Sequence, residues 1–392
     1  FTPVSGLKVN VQLVSQESLL ASVAAKNTAD VVLGVAREIP VDYALRGALV
    51  DLSGFPDAEE VFARFHDSAM LPMRYRDGVY GLPETMTYPM MFYRKDILAE
   101  LELSPPQTWN EVLALLPSLQ KNNLEFLIET GVQAESDVLA PFLMFLYQRG
   151  GELYRADGMA VGIDSVEGMD AFKFWTDLYR NYGLPISFNA ANRFRTGEAP
   201  LVVADFSLYN LLSVMAPEIR GLWGMLPVPG TVRADGSFDR SVGASGTAAV
   251  MFRTTENRAA AWEFMKWWTS AETQIEYARR IESILGASAR YPTANLDAMA
   301  EMQWSGEEWA RLEEQLRWAK GVPQVPGGYL VPRNINNAFR KVAVSRSQGA
   351  REALLMYTRT INNELTQKRK EFGLPTLADA GGSREGADGP HG

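Results

Sequence analysis

Leu7-Lys8-Val9-Asn10-Val11-Gln12-Leu13, a helical run from Gln16 to Lys26, Asp30-Val31-Val32-Leu33-Gly34-Val35, and a second helical run from Pro40 to Arg46 follow one another near the start of this 392-residue chain. The first segment alternates apolar and polar residues, as a half-buried strand does. The second strand is a short unbroken apolar run, suited to a buried parallel strand. Gly47 closes the second helix with the residue that tolerates a left-handed cap. This strand–helix–strand–helix order predicts an α/β architecture with a parallel sheet.

Outward from that core the pattern continues. Tyr80-Gly81-Leu82-Pro83 and Met90-Met91-Phe92-Tyr93 read as a turn followed by a strand. Thr108 and Glu111 have the spacing of a capping box opening a helix that runs to about Gln120. Helical periodicity recurs over Ser136–Arg149, Ser165–Tyr182, Phe206–Met215, Thr255–Trp268, Glu272–Arg279, Gly306–Lys320, Asn334–Val344 and Arg351–Phe372. Pro200–Ala204 and Thr247–Phe252 read as strands. Residues 381–392 are Gly-rich and polar and predict a disordered tail.

The totals exclude several function classes. A length of 392 residues predicts two domains. A net charge of -9, with no basic stripe before Lys368-Arg369-Lys370, argues against nucleic acid as a partner. The chain has no cysteine, which removes thiol chemistry and disulfides. Its two histidines are His66, in an amphipathic helical run, and His391, in the tail, so a His-based catalytic centre has little to rest on. No metal-ligating pattern, phosphate loop, GxGxxG or GxSxG motif occurs, and no cofactor or metal is expected. Glu307-Glu308 and Glu313-Glu314 are adjacent pairs whose side chains diverge on a helix, and they read as solvated faces. No apolar run is long enough to span a membrane. Phe1-Thr2-Pro3 lacks the pattern of a signal peptide, so any targeting segment is expected to have been removed or to lie upstream.

Aromatic residues near probable loops and helix starts, Tyr88, Phe206, Tyr209, Trp223 and Tyr329, suit stacking on sugar rings, with core packing the equal alternative. Trp262, Trp267 and Trp268 share one amphipathic helix and read as core.

Several ordered blocks resemble the family 1 extracellular solute-binding proteins of bacterial ABC importers, the maltose-binding-protein-like group. They include Asn27-Thr28-Ala29-Asp30-Val31-Val32, Gly47-Ala48-Leu49-Val50-Asp51-Leu52, and Gly78-Val79-Tyr80-Gly81-Leu82-Pro83 through Phe92-Tyr93-Arg94-Lys95-Asp96. Pro105-Pro106-Gln107-Thr108-Trp109-Asn110-Glu111, Phe194–Ala199, Trp223–Gly230, Ala260–Lys266 and Pro326–Tyr329 complete the set. The C-terminal part is similar to Gram-positive lipoprotein members. Arg94 stands where the family usually has Asn, which reads as a neutral change.

The resemblance implies a two-lobed periplasmic-binding-protein-like α/β fold (class II type) with a ligand cleft between lobes. It places one lobe at 1–104 and 243–290, with the family's first strand and helix missing before Phe1. The other lobe is placed at 105–242 and 291–380, with crossings near Ser104–Thr108, Pro229–Val242 and Ala289–Thr293. It implies a non-enzymatic, extracytoplasmic substrate-binding component of an ABC importer, closing by hinge bending on a carbohydrate. The site residues it implies are Arg37, Glu38, Thr87, Tyr88, Asp205, Phe206, Tyr209, Trp223, Ser245, Tyr329 and Arg333. Arg37 and Arg333 could equally be structural ion-pair partners. The implied partners are a small-molecule sugar and permease subunits, with the chain a monomer held at the membrane only through an upstream lipid anchor. Leu139, Ala140 and Phe142 occupy the place of a family stacking Tyr, which argues against a maltodextrin. The alternatives are a sensor or scaffold domain of a larger cell-surface protein and a two-carboxylate carbohydrate-active enzyme. A third keeps the fold but takes a peptide, polyamine or phosphorylated ligand.

Overall fold

The computed structural model describes residues 5–25, 28–129, 139–377 and 379. Lys26, Asn27, the expected helix start at Ser136 and the expected tail 381–392 lie outside the described residues. Seven strands build the two larger sheets: β1 (Val31–Ala36), β2 (Leu82–Thr87), β3 (Pro89–Arg94), β4 (Phe126–Ile128), β5 (Leu201–Asp205), β6 (Trp223–Leu226) and β7 (Ser245–Met251). Two compact units divide the chain.

The first unit takes the chain up to Thr87, then Ser245–Trp304 and Gly321–Gln324. Its sheet has the order β1–β7–β2, with both pairings antiparallel. Leu19, Val35, Tyr43, Leu49, Val250 and Phe252 form a core cluster under it. Trp262 is buried and stacks on Phe55 at 4.6 Å, while Trp267 and Trp268 are only half-buried. The alternating segment 7–13 forms no strand, and Val11 and Leu13 are 82% and 100% exposed. Among the described residues no strand pairs with this segment, and β1 keeps one free edge.

The second unit takes Tyr88–Ala244, Ser305–Lys320 and the chain from Val325 onward. Its sheet has the order β4–β5–β3–β6, and only the β4–β5 pair is parallel. The expected parallel sheet is therefore antiparallel in the first unit and mixed in the second. Strands that arrive late in sequence pair antiparallel with strands laid down early: β7 with β1 and β2 in one unit, β5 and β6 with β3 in the other.

Trp175 stacks on Phe339 at 4.3 Å, joining the helices Val166–Arg180 and Val331–Phe339. Gln148, fully buried, accepts from Trp109 Nε1 and Thr231 Oγ1 at 2.9 Å each and donates to the Pro229 carbonyl. The helix Trp109–Lys121 starts as expected, with Thr108 Oγ1 accepting from the Glu111 N–H. Glu111 reaches back to the Gln107 N–H rather than to Thr108, so the box is displaced by one residue. Glu308 is likewise not simply solvated: it completes a capping box with Ser305 and accepts from the Tyr209 hydroxyl.

The unit boundaries fall at Thr87/Tyr88, Ala244/Ser245, Trp304/Ser305, Lys320/Gly321 and Gln324/Val325; of the expected crossings, Pro229–Val242 ends two residues before Ala244, while Ser104–Thr108 and Ala289–Thr293 lie within the second and first units. The reason is a handover between strands. β2 pairs with β7, whereas β3, one residue later, pairs with β5 and β6.

Arg94 is not a neutral replacement. It is buried, forks onto Asp96 at 2.6 and 2.9 Å, and donates to the Phe194 and Arg195 carbonyls at the end of the helix Ala190–Thr196. A fork of donors serves a carboxylate and helix-end carbonyls together, which a shorter amide cannot do.

Arg94→Ala is expected to cost about 2–4 kcal/mol in urea unfolding, because it removes a buried side chain together with its hydrogen bonds to Asp96 and to the Phe194 and Arg195 carbonyls. Phe339→Ala is expected to cost about 3–5 kcal/mol in the same measurement through loss of burial and the cavity left against Trp175.

Candidate functional site

In the first unit the antiparallel register gathers four of the expected residues at one end of the sheet. Ala36 lies opposite Thr247, and Ser245 lies opposite Thr87, so the end of β1, the start of β7 and the end of β2 coincide. Arg37 leaves β1 there, its N–H donating to the Gly246 carbonyl at 3.3 Å. Its guanidinium is buried and donates through Nε to Glu38 Oε1 at 2.9 Å, while the Glu38 side chain stays 30% exposed. Gly246 has no room for a side chain, since a Cβ would stand 2.0 Å from the Thr85 carbonyl oxygen. Thr85 and Thr247 bond across the strands at 2.8 Å. Together these residues place hydroxyls and a carboxylate on a platform braced by the buried Arg37 guanidinium, which is hydrogen-bonding chemistry for a polyhydroxylated guest.

In the second unit the parallel pair β4–β5 brings the carboxyl ends of two strands together, the place where open sheets receive ligands. Asp205 ends β5 and accepts from the Ser207 N–H at 2.9 Å. Glu129 follows β4, and its carboxylate accepts from the Asp205 N–H. Although Glu129 is exposed as a residue, crowding around the carboxyl and then the adjacent Asp205 charge raise its pKa above the ordinary value. The sequence reading missed Glu129. Its position directly after a β-rich tripeptide was the available signal.

The aromatic expectations divide. Tyr88 is 1% exposed, donates to the Leu312 carbonyl at 3.0 Å, and meets Phe206, itself buried, edge to face at 5.0 Å. Those two rings are packing partners beneath Asp205. Trp223 lies opposite Arg94, whereas Asp205 lies opposite Pro89, at the other end of β3. That separation is roughly 17 Å of strand, so Trp223 and Asp205 do not share a strand end. Tyr209 bridges part of the way, meeting Trp223 at 5.3 Å and donating to Glu308 at 2.7 Å.

Tyr329 and Arg333 belong to a third place. Tyr329 accepts from Lys368, and Arg333 pairs with Glu364 at 2.9 Å, both along the helix Ala350–Glu371. That ion pair is the structural alternative its sequence left open, formed with the Arg333 side chain 62% exposed. His66 caps the short helix Asp67–Met70, accepting from the Ser68 N–H, and burial lowers its pKa. Among the described residues no group of three or more His, Cys, Asp or Glu is placed to hold a metal ion, and no helix is long and apolar enough to cross a membrane.

The sequence model of the bacterial extracellular solute-binding proteins matches residues 5–275. A maltotriose-binding protein of Pyrococcus abyssi is 27% identical over 54% of this chain and 45% of its own length. The chain spans less than half the length of the curated relatives it matches. Among solved structures, a solute-binding protein of Thermotoga lettingae bound to α-D-tagatose aligns with a TM-score of 0.73 at 20% identity, covering 93% of each chain. The sugar-binding protein MalE of Xanthomonas citri aligns with a TM-score of 0.74 at 18% identity, covering 92% of this chain and 89% of that one. At such identities the likeness establishes the fold, the two-lobed α/β architecture of solute-binding proteins. With the matched stretch covering most of the sequence, this chain belongs to the bacterial extracellular solute-binding protein family.

Proposed function

We propose that this protein is the extracytoplasmic component of an ABC importer that captures a carbohydrate and releases it unchanged. The observation that carries the reading is the gathering of Arg37, Glu38, Thr87 and Ser245 at one end of the first unit's sheet. Hydroxyls, carboxylates and a guanidinium are the groups that match sugar hydroxyls in number and in donor–acceptor alternation. The second unit offers Asp205 and Glu129 at the carboxyl ends of parallel strands, with the same chemistry. The named relatives support the ligand class: one is called maltotriose-binding, and fold neighbours were solved with tagatose, maltose and acarbose. Capture would proceed by bending where the chain passes from one unit to the other, shifting a population already present without ligand. The family matched is one of extracellular proteins, which places the work outside the cytoplasm.

A thermal-shift screen against neutral mono- and oligosaccharides tests the ligand class, because a ligand that binds only the folded state raises the melting temperature. With a hit in hand, Thr87→Val is expected to weaken binding about fivefold and Asp205→Asn about tenfold, each by calorimetric titration. Chromatography of the bound sugar is expected to return it intact. A panel without a single shift would overturn the carbohydrate reading, and recovery of cleaved sugar would overturn the non-enzymatic one.

A further inference from the structure

Glu84 lies on β2 and is 3% exposed, yet among the described residues it has no ion-pair partner. Its two oxygens are instead divided between two N–H donors. Oε2 accepts from the Gly34 backbone at 2.5 Å, and Oε1 accepts from Trp268 Nε1 at 2.6 Å. Gly34 is the point where β1 departs from regular pairing. The register with β7 shifts between Val32 and Val35, and Gly34 itself has φ +73°, a conformation that L side chains rarely adopt. An irregular residue in an edge strand has lost its ladder partner, so its N–H needs an acceptor from elsewhere. Glu84 supplies that acceptor from across the sheet.

Three residues beyond Gly34 comes Arg37, whose N–H docks on the Gly246 carbonyl and whose guanidinium holds Glu38. We propose that Glu84 is a positioning residue for ligand binding: its carboxylate, by fixing the Gly34 N–H, sets the course of β1 that presents Arg37 and Glu38. The proposal rests on the reading that this end of the sheet binds the carbohydrate.

The carboxylate form is the one that fits. An ionised carboxyl accepts at both oxygens, whereas a neutral one places an O–H among donors and accepts well at one oxygen only. Burial, only partly offset by the Gly34 and Trp268 donors, pushes this carboxyl from its ordinary 4.5 up to about 7. The titratable groups that face it are the phenols of Tyr277, on the helix Ala271–Leu285, and Tyr291. Burial first, and then the Glu84 charge, raises both of them. Tyr277 meets Trp268 at 4.9 Å and Tyr291 at 5.1 Å, so these rings close the surroundings of the carboxyl.

Stability and binding then respond to pH in opposite directions. Because folding raises the Glu84 pKa, the folded protein binds a proton more tightly than the unfolded chain does. Its contribution to stability is therefore complete below about pH 4.5 and is lost as pH rises through about 7. The clamp on Gly34 behaves inversely, and forms fully only above that range. Acidification from about pH 8 to about pH 6 is expected to weaken sugar binding by up to about tenfold while this group adds to thermal stability.

The experiment compares wild type, Glu84→Gln and Trp268→Phe. Two readouts are followed across this pH range: the amide NMR signal of Gly34 without ligand, and calorimetric affinity for a carbohydrate from the thermal-shift panel. In wild type the Gly34 amide is expected to titrate with a midpoint near 7. Glu84→Gln is expected to abolish that titration, to flatten the pH dependence of both affinity and melting temperature, and to bind weakly throughout. Trp268→Phe removes a donor that favours the carboxylate, and is expected to move both midpoints to higher pH. A folded Glu84→Gln variant with wild-type affinity and pH profile, or a Gly34 amide insensitive to Glu84, would overturn the proposal. A panel with no binder while the amide titrates as described would instead strike the carbohydrate reading alone.

Discussion

The antiparallel entry of β7 between β1 and β2 is the constraint on which the first unit depends. Ser245–Met251 arrives more than 150 residues after the strand it meets on one side and more than 200 after the other. Until it pairs, β1 and β2 have no shared neighbour and the Val35–Val250–Phe252 cluster cannot close. Its first residues do double duty: Gly246 admits the Thr85 backbone, and its carbonyl receives the Arg37 N–H. A strand pairing that secures the core is thus the same pairing that assembles the candidate ligand end.

Burial sorts the remaining polar groups by consequence. Arg94 can be buried because every direction of its fork meets an acceptor, Asp96 on one side and two helix-end carbonyls on the other. Gln148 is buried on the same terms. Glu84 differs in having only neutral donors around it, so it keeps hydrogen bonds but no compensating charge. Burial holds a carboxyl in that position near the balance between its two protonation states. The second unit places Asp205 and Glu129 at the ends of neighbouring strands, where crowding and the adjacent Asp205 charge raise Glu129 as well.

Local grammar was legible in the residues themselves. Thr108 caps the helix its spacing announced, and Ser165 and Ser305 cap theirs in the same way, because a hydroxyl and the N–H three residues on need nothing beyond the local chain. The family was legible too, since the blocks that carry it are short turns and helix starts of the same local kind. Segment 7–13 shows the limit of that grammar. Alternation states which face of a strand would be covered, and it cannot supply the neighbouring strand.

By itself, then, the sequence determined the helices, the two-unit α/β class, the absence of thiol chemistry and the set of sugar-compatible side chains from which a site could be drawn. Tertiary structure decided which of those side chains meet. Register put Thr87 opposite Ser245 and sent Trp223 to the far end of β3 from Asp205. Packing turned Tyr88 and Phe206 inward, and gave Arg333 to Glu364. It also brought Glu84 to Gly34, fifty residues away in sequence. The physical reason is that capping and periodicity are contacts within a few residues, whereas strand register, burial and the partner of a buried carboxyl are set by segments that meet only when the chain has folded.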